Sequence, residues 1–286
     1  MKKLKITLMI MFCALFANFL LANNFYETKT SNTNNDEKVR YLNKIFENIT
    51  IQKDIVFGES VISTGTKQKL ALDIYSPEND DLVNRPVIVW IHGGGFRPGN
   101  DKTQSYIVEM AKRFALKGYV CLSIDYRLRE NPKDDPKGTI SDAMEDAVKG
   151  LAWLRENGKQ LKVDVSKIII AGGSAGGMLG CKLCFNDRPD NKTDKTGIVA
   201  FVDLWGTPDV IWGELDIDKN DPPTIIVHGT EDKLVSYSNS LQLAEKLKAK
   251  QVTNELITIK DAGHTPVKHI DEFEQKIADF LFKLIQ

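Results

Sequence analysis

The sequence predicts an α/β chain built on one mostly parallel sheet of about eight strands, with helices on both faces and no large cap domain. Three observations carry that expectation. From Pro86 onward, short apolar runs alternate with amphipathic segments, the signature of strand and helix in turn. The runs are apolar throughout rather than at every second position, so each strand needs cover on both faces. Residues able to do chemistry stand just after those runs, beyond the carboxyl ends of the strands, where such sheets gather their ligands.

The elements are justified in chain order. "MKKLKITLMIMFCALFANFLLANN" opens with Lys2, Lys3 and Lys5 and continues with an apolar stretch from Leu8 to Ala17. That stretch is half of the roughly 20 residues a bilayer span needs, and Asn18 interrupts the apolar character beyond it. A secretory signal peptide over 1–22, cut after Ala22, is expected, and with it a secreted or periplasmic protein with no stable membrane insertion once the leader is gone. "ETKTSNTNNDEK" is polar and aperiodic, hence a linker. Tyr41, Leu42, Ile45, Phe46 and Ile49 recur at helical spacing, which predicts a short amphipathic helix that docks beside the site or caps the core. The linker and this helix occupy 23–50, and the catalytic domain runs over 51–286. "DIVFGES" and "KLALDIYSP" read as the first strands. "PVIVWIH", "YVCLSIDYRL", "KIIIAGG", "GIVAFVDLWG", "PTIIVHG" and "NELITIKDAG" supply the rest, with helices between them and after the last.

Charge and cysteines exclude several classes. Without the leader, 35 Lys and Arg face 39 Asp and Glu, a net of −4 that offers nucleic acid no basic field. Cys13 leaves with the leader, so Cys121, Cys181 and Cys184 remain, an odd number that argues against a disulfide framework. Cys181 and Cys184 share a helix face and read as core thiols. The glycines after Gly94 lack a P-loop lysine, "AGGSAGG" does not fit G-x-G-x-x-G, and no H-E-x-x-H pair suggests zinc. No metal and no organic cofactor is expected.

Gly172-Gly173-Ser174-Ala175-Gly176 fits G-x-S-x-G, the strand-to-helix elbow that exposes a serine hydroxyl on a strained turn; a helix N-cap serine fits the pentapeptide equally. A serine hydroxyl needs a base to become nucleophilic, and the base needs an orienting carboxylate. His264 alone among the four histidines stands in a post-strand loop downstream of an available acid. His92 precedes the serine, and His269 lies near a helix start. For the acid, Asp232 stands 58 residues after Ser174, with Glu231, Asp209 and Asp261 as competitors.

Four pieces, "HGGGF", "DYRL", "GGSAGG" and "HGTEDKLV" with the later "GH", make the chain from about Asp54 onward resemble the alpha/beta-hydrolase family. The branch it is similar to is that of secreted carboxylesterases of acetylesterase and feruloyl-esterase type, related to hormone-sensitive-lipase-like enzymes. The resemblance implies a Ser174, Asp232, His264 triad and an oxyanion hole formed by Gly94, Gly95 and the amide of Ala175, and it gives Asp125 and Arg127 a bracing part. Phe96 and Trp205 are the candidate pocket residues, Trp205 being equally suited to the core. The expected reaction is hydrolysis of a small carboxylic ester, such as an acetylated or feruloylated carbohydrate, through an acyl-enzyme. An arylformamidase or peptidase using the same triad on an amide, and a non-catalytic binding protein of the same fold, are the alternatives. Oligomeric state has no sequence signal here.

Overall fold

The computed structural model describes residues 38–62, 65–185 and 194–286. The leader expected over 1–22 and the linker up to residue 37 lie outside the described residues. Eight strands, β1 (Ile49–Val61), β2 (Lys67–Pro77), β3 (Arg85–Ile91), β4 (Val120–Ile124), β5 (Val163–Gly173), β6 (Ile198–Leu204), β7 (Thr224–Gly229) and β8 (Asn254–Ile259), form one sheet. Its order is β1-β2-β4-β3-β5-β6-β7-β8. β1, β2 and β4 pair antiparallel, and every pair from β4 and β3 to β7 and β8 is parallel.

Continuous apolar runs sit where both faces are covered. Along β3, Val87, Val89 and Ile91 point into one core layer while Ile88 and Trp90 point into the other, and all seven residues of the strand are buried. Helices α2 (Pro136–Asn157), α3 (Ala175–Phe185) and α4 (Tyr237–Ala249) close the first layer, and α1 (Ser105–Leu116) and α5 (Ile270–Ile285) close the second. Cys121, Cys181 and Cys184 are buried free thiols, as core packing requires. No described helix is long and apolar enough to cross a membrane.

One expected element is absent. Residues 41–48 form a turn and an irregular segment, and the amphipathic helix does not exist. Tyr41 takes φ +71, outside helical space, and donates its N–H to Lys117 O at 2.7 Å, while the amides of Ile45 and Phe46 both reach Leu116 O at 3.0 Å. The segment therefore satisfies carbonyls left open at the end of α1 instead of bonding within itself. Arg40 pairs with Asp80, and the Tyr41 ring packs edge-on against Tyr119.

Candidate active site

The glycines around Ser174 are there because the chain crosses itself closely. A Cβ on Gly172 would stand 2.5 Å from the backbone of Gly176, and one on Gly176 would press into the carbonyl oxygen of Ile91. Only glycine lets β5 turn straight into α3 beside β3. Ser174 occupies the turn with φ +54, a left-handed conformation that a non-glycine residue holds only when its surroundings impose it. Its N–H is tied to Leu204 O at 2.9 Å. The elbow reading thus holds over the simple N-cap.

Three loops converge on that hydroxyl. His264, after β8, places Nε2 2.9 Å from Ser174 Oγ and Nδ1 2.7 Å from Asp232 Oδ2, after β7. Asp232 has a fully buried side chain, and Oδ1 accepts the amides of Leu234 and Val235 at 2.8 and 3.0 Å. Burial opposes its ionisation, but the bond to His264 and those two amides outweigh it and hold the carboxyl below its ordinary range. Glu231 instead meets Lys233 at the surface. The ring is thereby oriented with Nδ1–H on the carboxylate and Nε2 free to receive the serine proton.

The glycine loop after β3 lies against the serine: a Cβ on Gly93 would be 3.1 Å from Ser174 Cβ. The amides of Gly94, Gly95 and Ala175 donate to no acceptor among the described residues. Free N–H groups beside a nucleophile are what a tetrahedral oxyanion requires. The loop is held from behind, because Gly93 N–H donates to Gln104 Oε1 at 2.7 Å and Tyr126 O–H donates to His92 O at 2.9 Å. His92 is buried and stacked on Tyr126, so it shapes the loop rather than facing the serine.

A cavity of about 710 Å³ opens over these groups, and its walls include Ser174, His264, Gly94, Gly95, Phe96, Met178, Trp212 and Leu234. The Phe96 and Trp212 rings stand 5.1 Å apart. Among the described residues no three His, Cys, Asp or Glu side chains converge as metal ligands.

Residues 72–214, half of the chain, match the family model described as BD-FAE. The chain belongs to the BD-FAE family. It has the alpha/beta-hydrolase fold. Residues 212–286 match a second model, the prolyl oligopeptidase family. Among curated relatives, esterase LipC of Mycobacterium tuberculosis is 26% identical over 218 residues, covering 62% of this chain and 52% of its own length. An acetyl esterase of Salmonella schwarzengrund is 27% identical over 140 residues, 48% of this chain and 40% of its own. The chain thus spans about half or less of these relatives' length. Esterase Est2 of Thermogutta terrifontis, solved with propionate, superposes with TM-score 0.65 at 24% identity over 82% of this chain and 94% of its own, which shows the shared fold.

Within this BD-FAE chain, Trp205 requires a correction. It is buried in the core between Tyr106 and Phe273 and contributes nothing to the cavity wall. A left-handed backbone, φ +47, accompanies its placement in the layer of α1 and α5. Trp212, seven residues on in a 3-10 turn (Val210–Trp212), lines the cavity instead. Asp125 and Arg127 brace loops as expected: Asp125 accepts the Lys102 amide at 2.8 Å, and Arg127 Nε donates to Asp146 at 2.7 Å. Sequence reasoning also missed Gln104, Tyr126 and His228. The last stands in "HGTED" itself with Nε2 3.0 Å from Asp232 Oδ2, but nothing in the motif's spacing distinguishes it from a strand residue.

Proposed function

We propose that the protein is a serine carboxylesterase in which Ser174 attacks an ester carbonyl, His264 takes the serine proton and returns it to the leaving alcohol, and Asp232 holds the imidazole. The amides of Gly94, Gly95 and Ala175 receive the developing oxyanion, and water releases the acyl group by the same route. The observation that carries this reading is the unbroken relay of 2.9 and 2.7 Å from Ser174 Oγ through His264 to Asp232, beside amides with no other acceptor among the described residues. Relatives described as esterases support the same chemistry.

The substrates are small acyl esters of a larger alcohol, acetylated or feruloylated carbohydrate being the class favoured, and the protein works outside the cytoplasm. A cavity of about 710 Å³ exceeds what an acetyl group fills, and its paired aromatic walls suit the apolar face of a ring, whether sugar or aryl. A series of nitrophenyl esters from two to twelve carbons, run beside acetylated and feruloylated oligosaccharides, tests this. The highest kcat/KM is expected at two to four carbons, and a maximum at eight or more overturns the small-acyl reading. Amide hydrolysis is the second reading, favoured by the prolyl oligopeptidase match over the segment carrying Asp232 and His264. Faster turnover of a matched anilide than of its ester would select it.

A further inference from the structure

Behind Asp232 a row of polar side chains runs away from the cavity into the core. His228 Nε2 stands 3.0 Å from Asp232 Oδ2, and His228 Nδ1 stands 2.7 Å from Ser240 Oγ. Ser240 Oγ is 3.0 Å from Thr207 Oγ1, which is 2.6 Å from Asp203 Oδ2. Asp203, His228 and Ser240 are wholly buried and Thr207 nearly so, leaving the row dependent on its own donors.

Four contacts need four protons. With both carboxylates ionised and the imidazole neutral, three are present: two hydroxyl protons and one ring N–H. One contact would then set lone pair against lone pair inside the core. A fourth proton removes the conflict, and the surroundings limit where it resides. His228 Nε2 also lies 3.0 Å from Val235 O, which only accepts, so that nitrogen carries hydrogen and Asp232 is its acceptor. The fourth proton therefore sits on His228 Nδ1, making a buried imidazolium, or on Asp203.

Asp203 is the better holder. Its Oδ1 accepts the Gly206 amide at 3.0 Å, and α3 brings to its surroundings the thiols Cys181 and Cys184, which burial keeps neutral. Lys182 on the same helix gives its ammonium to Glu214 O. Around His228 stand Asp232, His264 and the edge of Tyr237 from α4. We propose that Asp203 is a neutral carboxylic acid heading a one-way row of donors, Asp203 to Thr207 to Ser240 to His228 to Asp232, which makes His228 a positioning residue for the Asp232 carboxylate. Burial, partly offset by Thr207 and Gly206, pushes the Asp203 carboxyl up to about 6, and burial pulls His228 below its ordinary range. With the row complete, releasing the Asp203 proton also breaks a link, which holds it more firmly still. The consequence is a fixed His228 tautomer whose Nε2–H shares Oδ2 with His264. Its role in turnover rests on the esterase reading; the proton on Asp203 does not.

Infrared spectroscopy of the whole protein near pH 5.5, without substrate, reads that proton. Ordinary aspartates, with pKa about 3.9, are ionised there. The wild-type minus Asp203→Asn difference spectrum is expected to show the carbonyl stretch of one protonated carboxylic acid, and in the wild type that band should titrate away only at pH 6 or above. No band, or a midpoint in the ordinary aspartate range, overturns the proposal even if esters are hydrolysed. For positioning, Ser240→Ala should lower kcat roughly tenfold with KM little changed, and Ser240→Thr, which keeps the hydroxyl, should restore most of it. Equal kcat in Ser240→Ala and wild type, or an equal loss in both variants, removes the positioning role. Loss of all esterase activity in the wild type would count against the function while leaving the band intact.

Discussion

The ends of β5 and β7 carry the two ends of the relay, which His264 joins from the loop after β8, and they are built in opposite ways. At β5 the chain makes room by leaving side chains out, since Gly172 and Gly176 are crossed at distances that exclude a Cβ, and the serine is held by backbone strain. At β7 the chain fills space with polar groups, so that Asp232 accepts two amides on one oxygen and two imidazoles on the other. The first half is vulnerable to added volume, the second to a changed proton count. Both vulnerabilities can be probed separately.

The largest effect is expected where the two halves meet. Ser174→Ala removes the atom that β5 presents and should lower ester turnover by about a millionfold while leaving the fold intact, as judged by unchanged circular dichroism. Asp232→Asn attacks the other half. An amide at that position favours the wrong His264 tautomer, and a loss of about ten-thousand-fold in kcat is expected. Glu231→Gln, which disturbs only a surface pair with Lys233, should stay within twofold of wild type, far short of the loss from removing an orienting acid. The opposite ranking would move the acid to Glu231.

The two halves also differ in how well the sequence announces them. Gly172 to Gly176 spell out the elbow because a steric demand writes itself as missing side chains within five residues. Ser174 and His264 are legible because each stands after an apolar run, whereas Asp232 has Glu231, Asp209 and Asp261 as competitors and is singled out only by the resemblance that "HGTEDKLV" carries. His228 was not, since the partners that define it, Ser240 and Thr207, come from α4 and from the loop after β6, and no local spacing joins them. Trp205 and Trp212 share one irregular segment without periodicity, and the backbone turn at Trp205 that accompanies its core placement is a tertiary property. The segment from Tyr41 to Ile49 has helical spacing, yet its amides find stronger use on the end of α1.

Gly176→Ala sharpens the contrast at β5. The new methyl would meet the carbonyl oxygens of Ile91 and His92, both backbone and neither able to swing aside. A loss of about 3 kcal/mol or more in urea unfolding is expected, toward the upper end of overpacking effects. Gly95→Ala is the control. A Cβ there meets nothing within 4 Å among the described residues, so only the φ of +62 is penalised, and the cost should be near 1 kcal/mol. Similar costs at the two sites would show that β3 and α3 can separate.

A similarly modest effect concerns His92, a polar group inside the glycine-built half, which brings proton counting to the side governed by volume. Its Nδ1 lies 2.9 Å from Gly93 O, and its Nε2 has no partner among the described residues. A second N–H would be buried without an acceptor, and burial accordingly pulls the pKa down to about 4, only partly offset by the Gly93 carbonyl. The unfolded chain takes up this proton near pH 6.5, while the folded chain refuses it until about 4. The folded pKa is the lower one, so this stability is complete above pH 6.5 and is lost as pH falls toward 4. Between pH 6.5 and 5 the loss should reach about 1.5 kcal/mol. His92→Gln carries no such proton, and the gap between wild type and variant in urea unfolding should shift by that amount across the interval. Asp203, whose raised pKa acts in the opposite direction, is present in both proteins and cancels from the comparison. A gap that stays constant with pH would mean that His92 finds an acceptor when it is charged, and that the glycine side of the site tolerates an added proton as the acid side does not.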